Sequence, residues 1–179
     1  MKATGMIRKI DDLGRVVIPK EIRKTLRIRE GDPMEIYVEK NGEVILKRFA
    51  PLGGIVDELI CLAEILAKNT GFSVYITDTQ SIIAVSSKNK NNNLDRQITG
   101  DLLNILEDRA LYINKGENEI KITEKDTQNS YLSQIISPVI CDGDIIGSII
   151  FFSEGIRKNP TDAELKILKV ATDFLSNQM

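Results

Sequence analysis

Between Asp11 and Arg23 the chain has no spare residue, and this compression limits what it can fold into. Asp11-Asp12-Leu13-Gly14 reads as a tight turn, with glycine taking a backbone conformation that other residues resist. Carboxylates placed just before such a glycine typically accept hydrogen bonds from backbone amides. Arg15-Val16-Val17-Ile18 is rich in β-branched residues and reads as a strand. Pro19 then stands where proline is welcome, at a helix start. Ile7 and Ile10, flanking Arg8-Lys9, mark a strand before the turn, and Ile22 and Leu26 are the expected buried face of the helix.

A hairpin follows. Met34 to Lys40 and Glu43 to Phe49 are expected strands, joined by Asn41-Gly42, the strongest two-residue hairpin signal. A type I′ turn there sets Val38 opposite Ile45, Ile36 opposite Lys47 and Glu35 opposite Arg48, with Tyr37 beside Leu46. Both faces of this hairpin carry apolar residues. About 50 residues cannot easily bury two apolar faces alone. The expectation is an obligate dimer whose strands interleave with those of a second copy.

Charge separates the chain into a head and a body. Residues 1–29 hold 9 basic and 3 acidic side chains, although the whole chain is −2. Residues 1–50 carry a net +4 and residues 51–179 a net −6. A basic head on an acidic body suits a polyanionic partner. A solvated charged surface explains the counts equally well, and charge alone does not choose.

Pro51-Leu52-Gly53-Gly54 reads as a linker, giving domains at 1–50 and 55–179. In the body, Ile55, Leu59, Leu62 and Leu66 recur at helical spacing beside a second ridge of Val56, Ile60, Ala63 and Ala67. So broad an apolar surface packs within its domain, on a partner, or both. Strands are expected at 73–78, 81–86, 132–141 and 145–153, with a short one near Ile120-Lys121-Ile122. A helix is expected around Ile98 to Leu106. Lys88 to Asn93 and residues 114–130 read as polar loops. Thr161-Asp162-Ala163-Glu164 is a capping-box pattern opening the last helix. Leu165, Leu168, Thr172, Leu175 and Met179 then form a short heptad seam. Cys61 and Cys141 sit among apolar residues and read as buried free thiols of a reducing compartment.

The run from Gly5 through Pro19 and Arg23 to Gly31-Asp32 resembles the N-terminal domain of the AbrB family of transition-state regulators. The order helix, hairpin, helix, strands, helix resembles a GAF domain, with Ser137-Pro138-Val139-Ile140 and Asp142-Gly143-Asp144-Ile145-Ile146-Gly147 like its closing strands. The fold class expected is therefore α+β: a dimeric swapped-hairpin β-barrel followed by a GAF-like antiparallel sheet flanked by helices. The resemblance implies contact with double-stranded DNA through Arg8, Lys9, Arg15, Arg23 and Lys24. A lysine at 24 meets phosphate as a point charge, without the arginine fork. The combination of head and body resembles DNA-binding regulators of forespore gene expression in endospore-forming bacteria. It implies a homodimer through the head and a homotetramer through helices 55–68 and 161–179.

Enzyme chemistry is not expected. The chain has no histidine, and neither phosphate-binding glycine loop occurs in it. No metal or cofactor is expected, although the body is open to an unidentified small ligand between its sheet and the 88–93 and 114–130 loops. No apolar run approaches the roughly 20 residues of a membrane span, and the start of the chain does not read as a signal peptide, so a cytoplasmic protein is expected. Two other classes fit the head. One is an antitoxin binding its own operator, which usually adds a disordered tail. The other is a small-molecule sensor whose head only dimerises.

Overall fold

The computed structural model describes residues 5–26, 28, 30–86, 93–114, 119–127, 131–153, 156 and 158–178. Most of the 88–93 run, parts of the 114–130 stretch and Met179 lie outside these residues. The chain divides into two compact units, Met1–Phe49 and Ala50–Met179.

In the first unit a loop at 11–15 leads to helix α1 (Lys20–Thr25) and to a hairpin of β1 (Met34–Val38) and β2 (Val44–Arg48). The segments around Ile7–Ile10 and Arg15–Ile18, expected as strands, have no strand pairing within the single chain. A strand exists only by hydrogen bonding to a neighbour, and one copy of the head supplies none here. The hairpin also departs from expectation. Met34 pairs with Arg48, Glu35 with Lys47, Ile36 with Leu46, Tyr37 with Ile45 and Val38 with Val44. The Glu39 amide donates to the Glu43 carbonyl at 2.9 Å, and Gly42, at φ +86°, donates to Glu39 at 3.0 Å. The loop thus has three residues closed by a left-handed glycine, rather than the two of a type I′ turn. The one-residue change re-pairs the faces. Glu35 meets Lys47, while Arg48 turns to Asp32 at 2.7 Å.

The second unit is a five-stranded antiparallel sheet in the order β4-β3-β7-β6-β5. Its strands are β3 (Ser73–Thr77), β4 (Ile82–Ser86), β5 (Tyr112–Asn114), β6 (Ser133–Cys141) and β7 (Asp144–Ser153). Helix α2 (Val56–Thr70) and helix α4 (Asp162–Gln178) share one core with the sheet, through Leu59, Ala63, Leu66, Leu168 and Leu175. Helix α3 (Gly100–Glu107) shares the other, through Leu102 and Leu106 with Tyr75, Ile136 and Phe152. Covered on both sides, β3, β6 and β7 are almost continuously buried.

Local chemistry accounts for the boundaries. Gly71, at φ +69°, closes α2 and donates its amide to the Ala67 carbonyl at 2.8 Å. Asp142 and Gly143, both at positive φ, make the two-residue turn between β6 and β7. Glu164 reaches back to the Thr161 amide at 2.6 Å, completing the expected cap of α4. Thr172 Oγ1 donates to Ser137 Oγ at 3.0 Å, and Ile140 donates its amide to Ser176 Oγ at 3.3 Å, so α4 is tied to β6 by polar as well as apolar contact.

Three further expectations change. Pro51–Ile55, expected to lie mostly in a linker, is a 3-10 turn whose Leu52 is fully buried in the body's core. Cys61 is exposed and Cys141 half-buried, because the buried line of α2 runs Leu59, Ala63, Leu66, Thr70 and leaves position 61 outside it. Of the short strand near Ile120–Ile122 only an isolated bridge from Ile98 to Thr123 is present. There the Gln134 side chain accepts from the Ile120 amide at 2.8 Å and replaces a strand neighbour. The seam of Leu168, Thr172 and Leu175 faces its own sheet, and Val170 and Phe174 are the exposed apolar residues of α4.

Candidate nucleic-acid interface

The five candidate cations fall on two segments of the first unit. Arg8 and Lys9 are exposed just before the 11–15 loop, and Arg15 closes that loop. Arg23 and Lys24 lie on α1, where Lys24 is exposed and Arg23 is half-buried. Among the described residues Arg23 Nε is covered and makes no hydrogen bond. Helix α1 buries none of its residues, and Leu26, expected on its inner face, is exposed. Ile22, expected on the same face, is half-buried, so one copy of the head covers that side of the helix only in part.

The loop is rigidly built around Asp11. Its Oδ1 accepts the Leu13 amide at 3.1 Å and the Arg15 amide at 2.8 Å, as the carboxylate-before-glycine pattern predicts. Its Oδ2 accepts Arg15 Nε at 2.8 Å. The main chain closes the same loop, with Asp11 N to Arg15 O at 3.1 Å and Gly14 N to Asp11 O at 3.0 Å. The amide of Arg15, and after it the Arg15 guanidinium, hold the Asp11 carboxyl below the usual carboxylate range. The side-chain half of this arrangement is absent from the sequence reading. Its signal is the i,i+4 spacing of an acid and an arginine around Leu13-Gly14.

The hairpin of the same unit is apolar and open. Ile36, Val38 and Val44 are 65%, 75% and 64% exposed. Lys47 Nζ lies 4.7 Å from the Tyr37 ring centre, and Tyr37 Oη donates to Glu35 at 2.6 Å. No described residue of the first unit is buried.

In the second unit, the face expected to hold a ligand carries a cluster of rings. Tyr75 and Phe152 are 4.3 Å apart between centres, and Tyr131 stands edge-on to Phe152 at 4.9 Å. Asn93 donates to Tyr75 Oη at 2.6 Å. Burial pushes the Tyr131 hydroxyl far above its ordinary pKa, so it stays protonated. Asp126 accepts the Ile122 and Thr123 amides at 2.9 and 2.7 Å and holds the 122–126 segment over this face. Among the described residues no cluster of acidic or cysteine side chains could hold a metal ion. No described helix is long and apolar enough to cross a membrane.

Together these units define a class of chain: a basic head of AbrB type in front of a GAF-fold body. The GAF domain of Acinetobacter phosphoenolpyruvate-protein phosphotransferase superposes with a TM-score of 0.58 at 14% identity, covering 68% of this chain and 80% of that one. The family model for the stage V sporulation protein T C-terminal domain, a transcription factor, matches residues 60–179, and that of the antidote-toxin recognition protein MazE, a bacterial antitoxin, matches residues 7–51. Stage V sporulation protein T of Bacillus subtilis (strain 168) is 40% identical over 181 residues, spanning 100% of this chain and 99% of the relative. The transition state regulatory protein AbrB of the same organism is 40% identical over 89 residues, which is 45% of this chain and 92% of that protein. The chain belongs to the stage V sporulation protein T family of transcription factors.

Proposed function

We propose that two copies of the head interlock and bind double-stranded DNA through Arg8, Lys9, Arg15, Arg23 and Lys24, and that the protein thereby regulates forespore genes during sporulation. The observation that carries this reading is the 40% identity over 89 residues to the transition state regulatory protein AbrB, and the 9 basic against 3 acidic side chains in the first 29 residues fit it. Of the five candidates, Arg8, Lys9, Arg15 and Lys24 are exposed on a rigid loop, its flank and a short helix. Interlocking is supported by the absence of any buried described residue in the isolated head and by its open hairpin face. The reading is non-enzymatic: binding, not bond-making, is what these residues serve, in a chain without histidine. It places the protein on DNA in the cytoplasm of the forespore.

Ten candidate cations per dimer give this reading a salt signature. If about 6–10 phosphates are neutralised, affinity falls by about 10³–10⁵ between 50 and 200 mM salt. A gel-shift or anisotropy titration of the full chain tests it. Arg15→Ala and Arg23→Ala are expected to weaken binding strongly with the fold intact. Binding unchanged by both removes the proposed surface.

The body is read as an assembly or sensing module. Val170 and Phe174, 68% and 52% exposed on α4, support tetramer formation through α2 and α4. A small ligand would enter from the α3 side of the sheet, past the Tyr75, Tyr131 and Phe152 rings. The antitoxin reading draws on the MazE match over residues 7–51. It is disfavoured by the folded body, where that class needs a toxin-wrapping tail. Expression of the chain beside candidate toxins, with no neutralisation expected, separates the two.

A further inference from the structure

We propose that Asp11 is a positioning residue for DNA reading: it holds the Arg15 guanidinium by its Nε edge and so presents the opposite pair of N–H groups to a base. The inference rests on the reading that Arg15 meets duplex DNA. Arginine carries five N–H donors in a flat fork, and recognition of guanine uses two of them side by side on O6 and N7. A free arginine at the surface must first give up its side-chain freedom to do this. In the 11–15 loop that freedom is already restricted. Asp11 Oδ2 grips Nε at 2.8 Å, and the carboxylate is itself immobilised, because Oδ1 is held by the Leu13 and Arg15 amides. The Arg15 side chain nevertheless remains 68% exposed. An arginine spent on a bidentate ion pair would have fewer N–H groups to offer a base, and the contact here is through Nε. This one is anchored at one edge and open to solvent over most of its surface.

The sign of the charge makes the idea testable. Asp11 is one of 3 acidic residues among the first 29, on a surface read as phosphate-binding. By charge alone its removal helps DNA binding, and only a positioning role makes its removal harmful. Asp11→Asn keeps an oxygen for the two backbone amides and withdraws the anionic partner of Nε. Asp11→Ser, a second variant, also keeps a backbone acceptor without the carboxylate.

The test is fluorescence anisotropy of the full chain with two labelled duplexes. One is enriched from a random-sequence pool by the unaltered protein, and the other is a scrambled duplex of the same composition. Expected for Asp11→Asn is unchanged or tighter binding to the scrambled duplex and weaker binding to the enriched one, with discrimination down about tenfold. In an Arg15→Ala background the same change is expected to lower discrimination no further. Equal weakening on both duplexes in Asp11→Asn and Asp11→Ser would assign Asp11 to loop stability and overturn the proposal. So would unchanged discrimination, or a loss that persists without Arg15. Failure of the unaltered protein to bind or enrich any duplex overturns the DNA reading itself, and the inference with it. Binding and discrimination that survive Arg15→Ala undiminished overturn the inference alone and leave the DNA reading to the other cations.

Discussion

Gly147 on β7 lies against the backbone of Thr77 on β3 so closely that a β-carbon at 147 would stand 2.0 Å from the Thr77 carbonyl oxygen. The same carbon would meet Leu52 Cδ1 at 2.8 Å. The close approach lets Thr77 Oγ1 and Ser148 Oγ share a buried hydrogen bond of 2.7 Å, and it seats Leu52 under the sheet. Backbone cannot rotate away as a side-chain tip can. Gly147→Ala is therefore expected to destabilise the body by about 3 kcal/mol, the upper part of the range for overpacked cores. Urea unfolding of the full chain, followed by tyrosine fluorescence, measures it. A change below about 0.5 kcal/mol would mean that β3 and β7 separate without loss.

The start of α4 carries a pH-dependent contact. Burial raises the Glu164 pKa, but the Thr161 amide and Lys158 together outweigh it, and the net shift is downward. Lys158 Nζ stands 2.9 Å from Glu164 and 4.2 Å from the Phe72 ring centre, and it also reaches the Thr70 carbonyl at the end of α2. A carboxylate with a lowered folded-state pKa contributes stability that is full above its unfolded pKa of about 4.3 and is lost as pH falls through the folded value. Glu164→Gln is expected to cost about 1 kcal/mol at pH 7. The gap between variant and parent should close as the pH is lowered from about 5 to 3. Melting curves across that range test the sign. A gap that widens in acid refutes it.

The body was largely legible because its signals are local or periodic. The apolar period of α2, the Asp142-Gly143 turn and the Thr161–Glu164 cap each act within a few residues. Strand β5 (Tyr112–Asn114) was not legible, since three half-polar residues become a strand only by pairing with Gln134, Ile135 and Ile136. The hairpin register was misread because Asn41-Gly42 serves two loops. Gly42 takes a left-handed conformation in the observed three-residue loop as it would in a type I′ turn. Of the candidate site, the Asp11 turn was readable. The grip of Asp11 on Arg15 Nε was not, because a sequence does not say which rotamer a surface arginine takes.

The open hairpin predicts its own partner. Val38 pairs with Val44 and Ile36 with Leu46, and all four side chains are exposed. Covering Val-, Leu- or Ile-sized side chains is worth about 1.5–3 kcal/mol each. The head should therefore be stable only as an associated species, with unfolding that depends on concentration. Ile36→Glu with Val44→Glu is expected to abolish association of the head and its salt-sensitive DNA binding together, with the melting of the body unchanged. Sedimentation equilibrium and circular dichroism of the full chain are the measurements. A double variant that still binds duplex DNA with the parent's salt slope would exclude an interlocked head.

A second association surface is expected on α4, and it should be separable from the first. Val170 and Phe174 are one helical turn apart on the outer side, flanking a shallow groove of about 490 Å³ with Asp173, Asn177 and Gln178. The opposite side of the same helix is spent on the sheet through Leu168, Ala171 and Leu175. Substitution on the outer side therefore leaves the core alone. Phe174→Lys introduces a charge that must be desolvated if this ridge is covered and that sits in water if it is not. The expected result is a halving of the particle mass, with the melting temperature of the body changed by less than about 2 °C, the scale of small surface effects. Light scattering behind size exclusion reads the mass. If the ridge is the tetramer contact, binding to a single short duplex persists, because each head dimer is intact, while simultaneous binding of two duplexes is lost. Retention of the parent's mass by Phe174→Lys and by Val170→Lys would remove α4 as the second contact.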